Sequence, residues 1–358
     1  MRVLQLIDSL NAGGAERMAV NYANALTSRL EGAYLCATRE EGLLKESLSE
    51  NVGYLFLNRK KTIDLSAIKR LSTFVKQEHI DVIHAHATSF FLATLIKILN
   101  PKLILVWHDH YGNSEFLENR PLFVLRRCSA WFSHIFTVNS KLEAWARTKL
   151  PSVPVSYLPN FAQVDTNKPK TGLKGTKGKR ILCLANLRPQ KDHLNLLKAF
   201  QLVLEKYSDW TLHLLGKDFK DDYASEIKGY INKNHLNKNV FLYGSCTDIN
   251  HVLKQGDIGV LGSKSEGLPL ALLEYGLAGL PVVATQVGDC YKVVSKPNEG
   301  ILVEPNNHKD LSQAILKYIE HENLRHLAAT HLKAKVLSDF SETAVIESLI
   351  SIYNSHKL

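Results

Sequence analysis

The chain has 358 residues, 45% of them apolar and 22% charged, with a formal net charge of +9. It is long for one domain and too apolar for a disordered chain; the positive charge is spread over both halves, which suits anionic partners but marks no nucleic-acid arm. Five widely spaced cysteines (Cys36, Cys128, Cys183, Cys246, Cys290) form no C-x-x-C pair. They exclude a disulfide framework or a zinc ribbon and read as reduced thiols of a cytosolic protein.

The first half alternates short apolar runs with helical patterns. Strands are predicted at 2–7, 33–37, 53–57, 81–85, 102–107 and 134–138, and helices at 15–29, 65–79, 87–99 and 140–149. Such alternation predicts a parallel sheet covered on both faces. Met1 leads straight into the first strand pattern, which does not read as a signal peptide. After that strand, Gly13-Gly14 either turns tightly or lets a ligand approach the backbone. It is not G-x-G-x-x-G, which argues against a dinucleotide site. The apolar stretch from Phe90 to Trp107 is broken by Lys97, Asn100, Pro101 and Lys102, so it reads as helix then strand rather than a membrane span. Basic Arg59-Lys60-Lys61 and the helix around Phe90-Phe91-Leu92 are candidates for peripheral membrane contact, against the plainer reading of a solvated loop and a core helix.

Trp107-His108-Asp109-His110 closes the fifth strand, where polar side chains would face a ligand. His108-x-His110 raises the question of a metal. The two rings are read as pointing to opposite faces, with no further ligand cluster evident, so substrate binding is preferred and no metal is assigned. Asp109 or His110 could orient an acceptor, and His110 could also merely cap the next helix.

Pro151, Pro154, Pro159 and the Gly- and Lys-rich stretch 169–179 read as an interdomain linker. The alternation then restarts. Strands are predicted at 180–185, 210–215, 239–243, 257–261, 281–285 and 300–303, and helices near 190–206, 221–234, 248–255, 268–279 and 308–330. A last helix follows Ser341, a plausible N-cap. Arg188 and Lys191 emerge at the turn after the strand 180–185, where two cations suit a diphosphate. Glu266 and Glu274 stand eight positions apart across Gly267-Leu268-Pro269-Leu270 and a helix start. That start offers amide N–H groups and a positive dipole end to an anion. Glu274 lies among Leu272, Leu273, Tyr275 and Leu277, where an unpaired charge is costly.

The Glu266–Glu274 spacing resembles the E-x7-E signature of group 1 (family 4) retaining glycosyltransferases. Lys191 matches that family's G-R-L-x-x-x-K-G element. The usual Arg position is Asn186 here, and Arg188 is taken as its substitute. Gly288 is followed by Asp289 where the family commonly has a second glycine, and Asn160 lacks the common glycine after it. The resemblance implies an α/β chain of two tandem Rossmann-like domains (GT-B) facing across a cleft: an acceptor-side domain at 1–162, completed by a crossover helix at 341–356, and a nucleotide-sugar domain at 163–340. It implies that Glu266 binds sugar hydroxyls and Glu274 the ribose, while Arg188, Lys191 and the amides of Gly267 and Leu268 hold the diphosphate. Leu270 lies beside them, Tyr243-Gly244 meets the base, the Gly13-Gly14 loop approaches the phosphates, and His108 lines the reacting centre. The expected function is metal-independent, retaining transfer of a sugar from a nucleoside-diphosphate sugar (UDP favoured over GDP) to a glycan or lipid-linked glycan in surface polysaccharide biosynthesis. No cofactor is expected. The alternatives are a nucleotide-sugar epimerase of the same fold and a non-catalytic assembly subunit.

Overall fold

The structure, a computed structural model, describes residues 1–163 and 168–357. It divides into two compact units, Met1–Phe161 with Glu342–Leu358, and Ala162–Ser341.

Unit 1 runs β1 (Arg2–Ser9), α1 (Gly14–Leu26), β2 (Gly32–Glu40), β3 (Gly53–Phe56), α2 (Leu65–Gln77), β4 (Val82–His86), α3 (Phe90–Leu99), β5 (Ile104–Asp109), α4 (Phe123–Ser129), β6 (His134–Thr137), α5 (Ser140–Lys149) and β7 (Val155–Tyr157). The sheet order is β3-β2-β1-β4-β5-β6-β7, all parallel. Val3, Leu4, Leu6, Ile83, Leu105 and Ile135 are fully buried, as strands covered on both faces require. Asp64 and Asn139 cap α2 and α5 by accepting from the amides of Ala67 and Leu142 at 3.0 and 2.7 Å. Unit 2 runs β8 (Arg180–Leu184), α6 (His193–Leu204), β9 (Thr211–Leu215), α7 (Asp222–Lys233), β10 (Val240–Gly244), α8 (Ile249–Leu253), β11 (Ile258–Leu261), α9 (Leu270–Ala278), β12 (Val282–Thr285), α10 (Cys290–Val293), β13 (Ile301–Val303), α11 (His308–Glu320) and α12 (Glu322–Asp339). Its sheet order is β10-β9-β8-β11-β12-β13, again parallel. The final helix, α13 (Glu342–Ser355), returns to unit 1 and buries Val345, Ile346, Leu349 and Tyr353 there.

Three elements differ from the sequence expectation. The proline-bounded stretch after 150 contains β7, an edge strand; Pro151 and Pro154 precede it, where no ladder N–H is lost. The pattern 308–330 is two helices broken at His321, whose extended backbone (φ −124°, ψ 82°) interrupts an otherwise continuous periodicity. Helix α4, only 7 residues long, is too short to show a period and was not anticipated. The segment 168–179 is irregular, yet the amides of Lys170 and Thr171 donate to Asp248 Oδ2 at 2.6 and 2.8 Å, which binds it to unit 2. All five cysteines are free and buried.

Candidate functional site

In each sheet the strand order reverses once: between β1 and β4 in unit 1, and between β8 and β11 in unit 2. The crevice beyond the carboxyl ends at such a point is where open α/β sheets take ligands. In unit 2 two loops meet there. After β8, Pro189–Lys191 forms a single 3-10 turn, with the Lys191 amide donating to the Arg188 carbonyl at 2.9 Å. Asp192 then takes a left-handed conformation (φ 48°) and redirects the chain into α6. After β11, the Lys264 amide donates to the Gln190 carbonyl at 2.8 Å and stitches the two loops together.

This stitching sets Lys191 against Glu266. Lys191 Nζ lies 2.7 Å from Oε1 and 2.8 Å from Oε2 of Glu266, and the Ser263 hydroxyl donates to Oε1 at 2.6 Å. Glu266 is only 5% exposed, so its carboxylate is paired and nearly dry. The turn beneath depends on Gly288. Its φ is +52°, and a Cβ there would come within 2.2 Å of the Glu266 carbonyl oxygen and 2.6 Å of that of Gly267. The Asp289 amide donates to the Gly267 carbonyl at 2.9 Å and closes the contact. Ser263 and Gly288 were not singled out as site residues; only the folded turn brings them to Glu266.

Helix α9 starts at Leu270 beside this pair, with Leu268 buried at the turn. Its N-cap is Pro269, whose side chain makes no capping hydrogen bond. Glu274 is half-buried on α9, while Tyr275 next to it is fully buried with its hydroxyl accepting from the Leu184 amide at 2.6 Å. Arg188 is exposed, its guanidinium 4.6 Å from the centre of the Phe219 ring. Tyr243 is half-buried; the Lys174 amide donates to its hydroxyl at 2.9 Å, and His213 Nδ1 lies 3.2 Å away. Gly244 (φ +67°) ends β10, and its carbonyl accepts from the Gly216 amide at 2.8 Å.

In unit 1 Gly13 caps α1 with extended backbone. A Cβ on Gly13 would meet only the flexible Glu16 side chain, and one on Gly14 would meet open space. Internal packing therefore does not demand these glycines. The histidines behave otherwise than expected. Residues two apart on a strand share a face, and His108 and His110 stack with ring centres 4.1 Å apart. His84 and His86 of β4 extend the stack; His86 registers opposite His108. The same x-His-x-His spacing on the preceding strand was the signal to read. His108 is fully buried, so it does not line an open reacting centre; His110 is the least buried of the four, and still mostly covered. Gln5 Oε1 lies 2.7 Å from His86 Nε2, which fixes the proton there. His86 Nδ1 then accepts from His110 Nε2 at 3.0 Å, and His110 Nδ1 keeps its lone pair. Burial holds His84, His86 and His108 well below the usual imidazole pKa and pulls His110 down to about 3, so the stack is neutral.

Donor atoms of His84, His86 and His108 lie within 4.8 Å of one another, the spacing that raises a metal. The rings of His84 and His86 are parallel to within 9° and 4.4 Å apart. Their lone pairs run side by side rather than converging, and hydrogen bonds to Tyr353, His108, Gln5 and His110 use the ring nitrogens. A tetrahedral centre needs convergence.

Comparison with known proteins adds the family. The pattern described as "Glycosyltransferase Family 4" matches residues 12–166, and "Glycosyl transferases group 1" matches 164–332. The chain belongs to the group 1 (family 4) glycosyltransferases. It is 24% identical to an uncharacterized glycosyltransferase of Haemophilus influenzae, over 94% of this chain and 95% of that protein. It is 22% identical to the UDP-Gal:alpha-D-GlcNAc-diphosphoundecaprenol alpha-1,3-galactosyltransferase of Escherichia coli, over 88% and 87%. Among solved structures, Anabaena HepE in complex with UDP and glucose superposes with a TM-score of 0.80 at 18% identity, over 99% of this chain and all of that one. The two Rossmann-like units are thus those of the GT-B fold.

The surface of this glycosyltransferase corrects the expected membrane-facing residues. Arg59 is 4% exposed and Leu92 1%, so neither stands on the open surface that would lie against a bilayer, whereas Ile63, Leu65 and Phe123 stand out at 60%, 77% and 74%. Lys60 and Lys61 are exposed. Among the described residues, no helix is long and apolar enough to cross a membrane.

Proposed function

We propose that this glycosyltransferase moves a sugar, with retention at the anomeric carbon and without a metal ion, from a UDP-sugar to a hydroxyl of a lipid-linked or free glycan, with a GDP-sugar as the second choice of donor. The observation that carries this reading is the mostly buried Lys191–Glu266 pair at the switch point of unit 2, beside the proline-opened start of α9. A diphosphate meets a cation and amide dipoles there, while Glu266 keeps lone pairs for sugar hydroxyls. Support for UDP comes from the names of relatives: HepE is described with UDP and with UDP-glucose, and the E. coli relative uses UDP-Gal with a diphosphoundecaprenol acceptor. That acceptor is the analogy for a role in surface polysaccharide biosynthesis.

In this mechanism positive charge grows on the sugar ring as the C–O bond to the diphosphate breaks. Lys191, Arg188 and the amides opening α9 take up the charge on the departing diphosphate, which needs no protein nucleophile. Glu274 holds the ribose, the Tyr243–Gly244 turn meets the base, and the Gly13–Gly14 loop gives the phosphates room. His110 offers its Nδ1 lone pair to a sugar hydroxyl, and His108 positions it from beneath. The acceptor lies on unit 1, whose exposed Lys60, Lys61, Ile63, Leu65 and Phe123 touch an anionic membrane peripherally.

The test is a panel of UDP- and GDP-hexoses with and without a lipid-diphosphate glycan, read by nucleotide release and by the anomeric configuration of the product. Transfer with retention from a UDP-sugar is expected in the presence of EDTA. Absence of release from every donor refutes the reading, as does release only on adding a divalent metal. Conversion of one nucleotide sugar into another without acceptor would instead identify an epimerase. Flotation with anionic liposomes is expected; protein left in solution refutes the membrane contact.

A further inference from the structure

Beyond the carboxyl ends of β1, β2 and β4, unit 1 holds a recess of about 450 Å³ that no residue role above uses. It is lined by Asp8, Arg39, Arg59, Thr88, Phe91 and Val124, with Thr62 at its edge. One wall is polar and the other apolar, and each is built from interactions that can be followed atom by atom.

On the polar wall both oxygens of the Asp8 carboxylate accept hydrogen bonds. Arg59 Nη2 and the Thr38 hydroxyl donate to its Oδ1 at 3.1 and 2.5 Å, and the Thr88 hydroxyl donates to Oδ2 at 2.7 Å. Arg59 also donates from Nη1 to the Thr62 carbonyl at 3.1 Å. Of its remaining donors, the Nε–H is buried and finds no partner among the described residues, and the side chain is only 3% exposed. Arg39, half-buried on β2, has no salt bridge among the described residues, and its charge acts on Arg59. Two guanidinium groups thus line the recess with one carboxylate, both of whose oxygens already accept hydrogen bonds; Asp64, the other acid acting on Arg59, lies outside the lining. An orphaned buried N–H and a surplus cation in a partly dry recess are both costly unless an anion completes them.

The other wall is Phe91 of α3 and Val124 of α4. Val124 is 48% exposed, and its neighbour in sequence, Phe123, is 74% exposed. Arg126 and Arg127 follow on the same short helix, both exposed. The recess is therefore amphipathic, cationic at its floor and apolar at its lip.

We propose that this recess binds the phosphate or diphosphate head of an amphiphile, with Arg39 and Arg59 holding phosphoryl oxygens and Phe91 and Val124 covering the first carbons of its lipid chain. The amphiphile is the lipid-linked acceptor, so this inference rests on that part of the proposed function. A free phosphate ester shares the head chemistry but leaves the apolar lip unused.

The test is calorimetry on the full chain with dodecyl diphosphate, inorganic pyrophosphate and dodecanol. Dodecyl diphosphate is expected to bind, pyrophosphate to bind more weakly and dodecanol not at all. Arg39→Gln, checked for an unchanged thermal melt, is expected to weaken both anions by about tenfold or more. Val124→Ser is expected to weaken dodecyl diphosphate severalfold and leave pyrophosphate unchanged. Equal binding of the anions by Arg39→Gln, or equal binding of dodecyl diphosphate and dodecanol, overturns the proposal. Pyrophosphate binding as tightly as its alkyl ester overturns the lipid assignment. The two readings separate in a transfer assay. Arg39-dependent binding without transfer to any lipid-linked glycan leaves the recess standing and removes the acceptor reading. Transfer with the same acceptor KM in Arg39→Gln leaves the acceptor reading standing and removes the recess.

Discussion

Replacing Lys191 tests whether the buried pair serves stability, catalysis or both. Lys191→Met keeps the stem volume but removes the ammonium that lies 2.7–2.8 Å from both oxygens of Glu266. The Ser263 hydroxyl remains as a partner of that carboxylate. Breaking a buried pair by removing one member costs about 3–5 kcal/mol. Because the Lys191 side chain is 23% exposed and water can reach the freed carboxylate, the low end applies, about 3 kcal/mol. For a domain of this size that is a fall in Tm of roughly 6–12 °C. Turnover is expected to fall by about 10²–10³, as for the loss of one group that stabilises transition-state charge. The two effects separate in the double variant Lys191→Met/Glu266→Gln. It buries no unpaired charge, so stability returns to within about 1 kcal/mol, while turnover stays low because the cation is still missing and Glu266 has lost its charge. Urea denaturation and nucleotide release from a UDP-sugar measure both quantities on the same samples. A single variant with wild-type turnover, or a double variant that regains turnover along with stability, would refute the assignment of Lys191 to the diphosphate.

Other perturbations follow the same geometry. Glu274→Gln should weaken UDP binding by about tenfold or more, as expected for loss of a hydrogen bond to a charged group, with little change in the melt; equal calorimetric affinity removes Glu274 from the site. Gly288→Ala forces a side chain into a φ of +52° and against two backbone carbonyls, so it should cost at least about 1–2 kcal/mol and lower turnover through displacement of Glu266; an unchanged melt refutes the packing argument. Burial lowers the His193 pKa to about 4. The unfolded chain then binds the proton first, near pH 6.5, so the stability contribution is complete above that pH and is lost as pH falls towards 4. The loss reaches about 3 kcal/mol at roughly 1.4 kcal/mol per unit. Urea midpoints from pH 7.5 to 4.5 should fall at least this much, since the other buried histidines add to the slope, and His193→Gln should make the fall shallower by His193's share; an unchanged slope in that variant refutes the assignment. His110→Ala should lower kcat more than His108→Phe, which keeps a stacked ring; the reverse order assigns the contact to His108.

What the chain revealed of itself depended on range along the sequence. The strands and most helices were legible because period-2 and period-3.6 patterns are local, and the Glu266–Glu274 spacing was legible because eight residues lie in one turn and one helix. The pairing of Lys191 with Glu266 spans 75 residues and is created by a backbone hydrogen bond between two loops. No spacing encodes it. The same holds for Gly288, whose value lies in a carbonyl 22 positions earlier. The histidine stack was misread for a different reason. The alternation of strand side chains places both members of an x-His-x-His pair on one face, and two such pairs on adjacent parallel strands then stack across the ladder. Reading His84-x-His86 beside His108-x-His110 would have given four rings on one face of the sheet from the sequence alone.

That difference also explains why the two units carry different kinds of site. In unit 2 two ion pairs stand at the switch point, Lys191 with Glu266 and Lys264 with Asp192 at 3.3 Å, and Arg188 lies over the Phe219 ring. A paired site is electrically quiet when empty, so a ligand must compete for the cation, and only one that replaces the lost contacts, phosphoryl oxygens for Lys191 and hydroxyls for Glu266, is taken up without leaving a buried charge exposed to nothing. This favours a ligand bearing both groups next to each other, which a nucleoside-diphosphate sugar does and inorganic pyrophosphate does not. In unit 1 the surplus is a cation with an orphaned N–H, so an anion alone completes it. Pyrophosphate is therefore expected to compete for the recess of Arg39 and Arg59 better than for the Lys191–Glu266 pair, and displacement of UDP by pyrophosphate at concentrations that do not fill the recess would contradict this division.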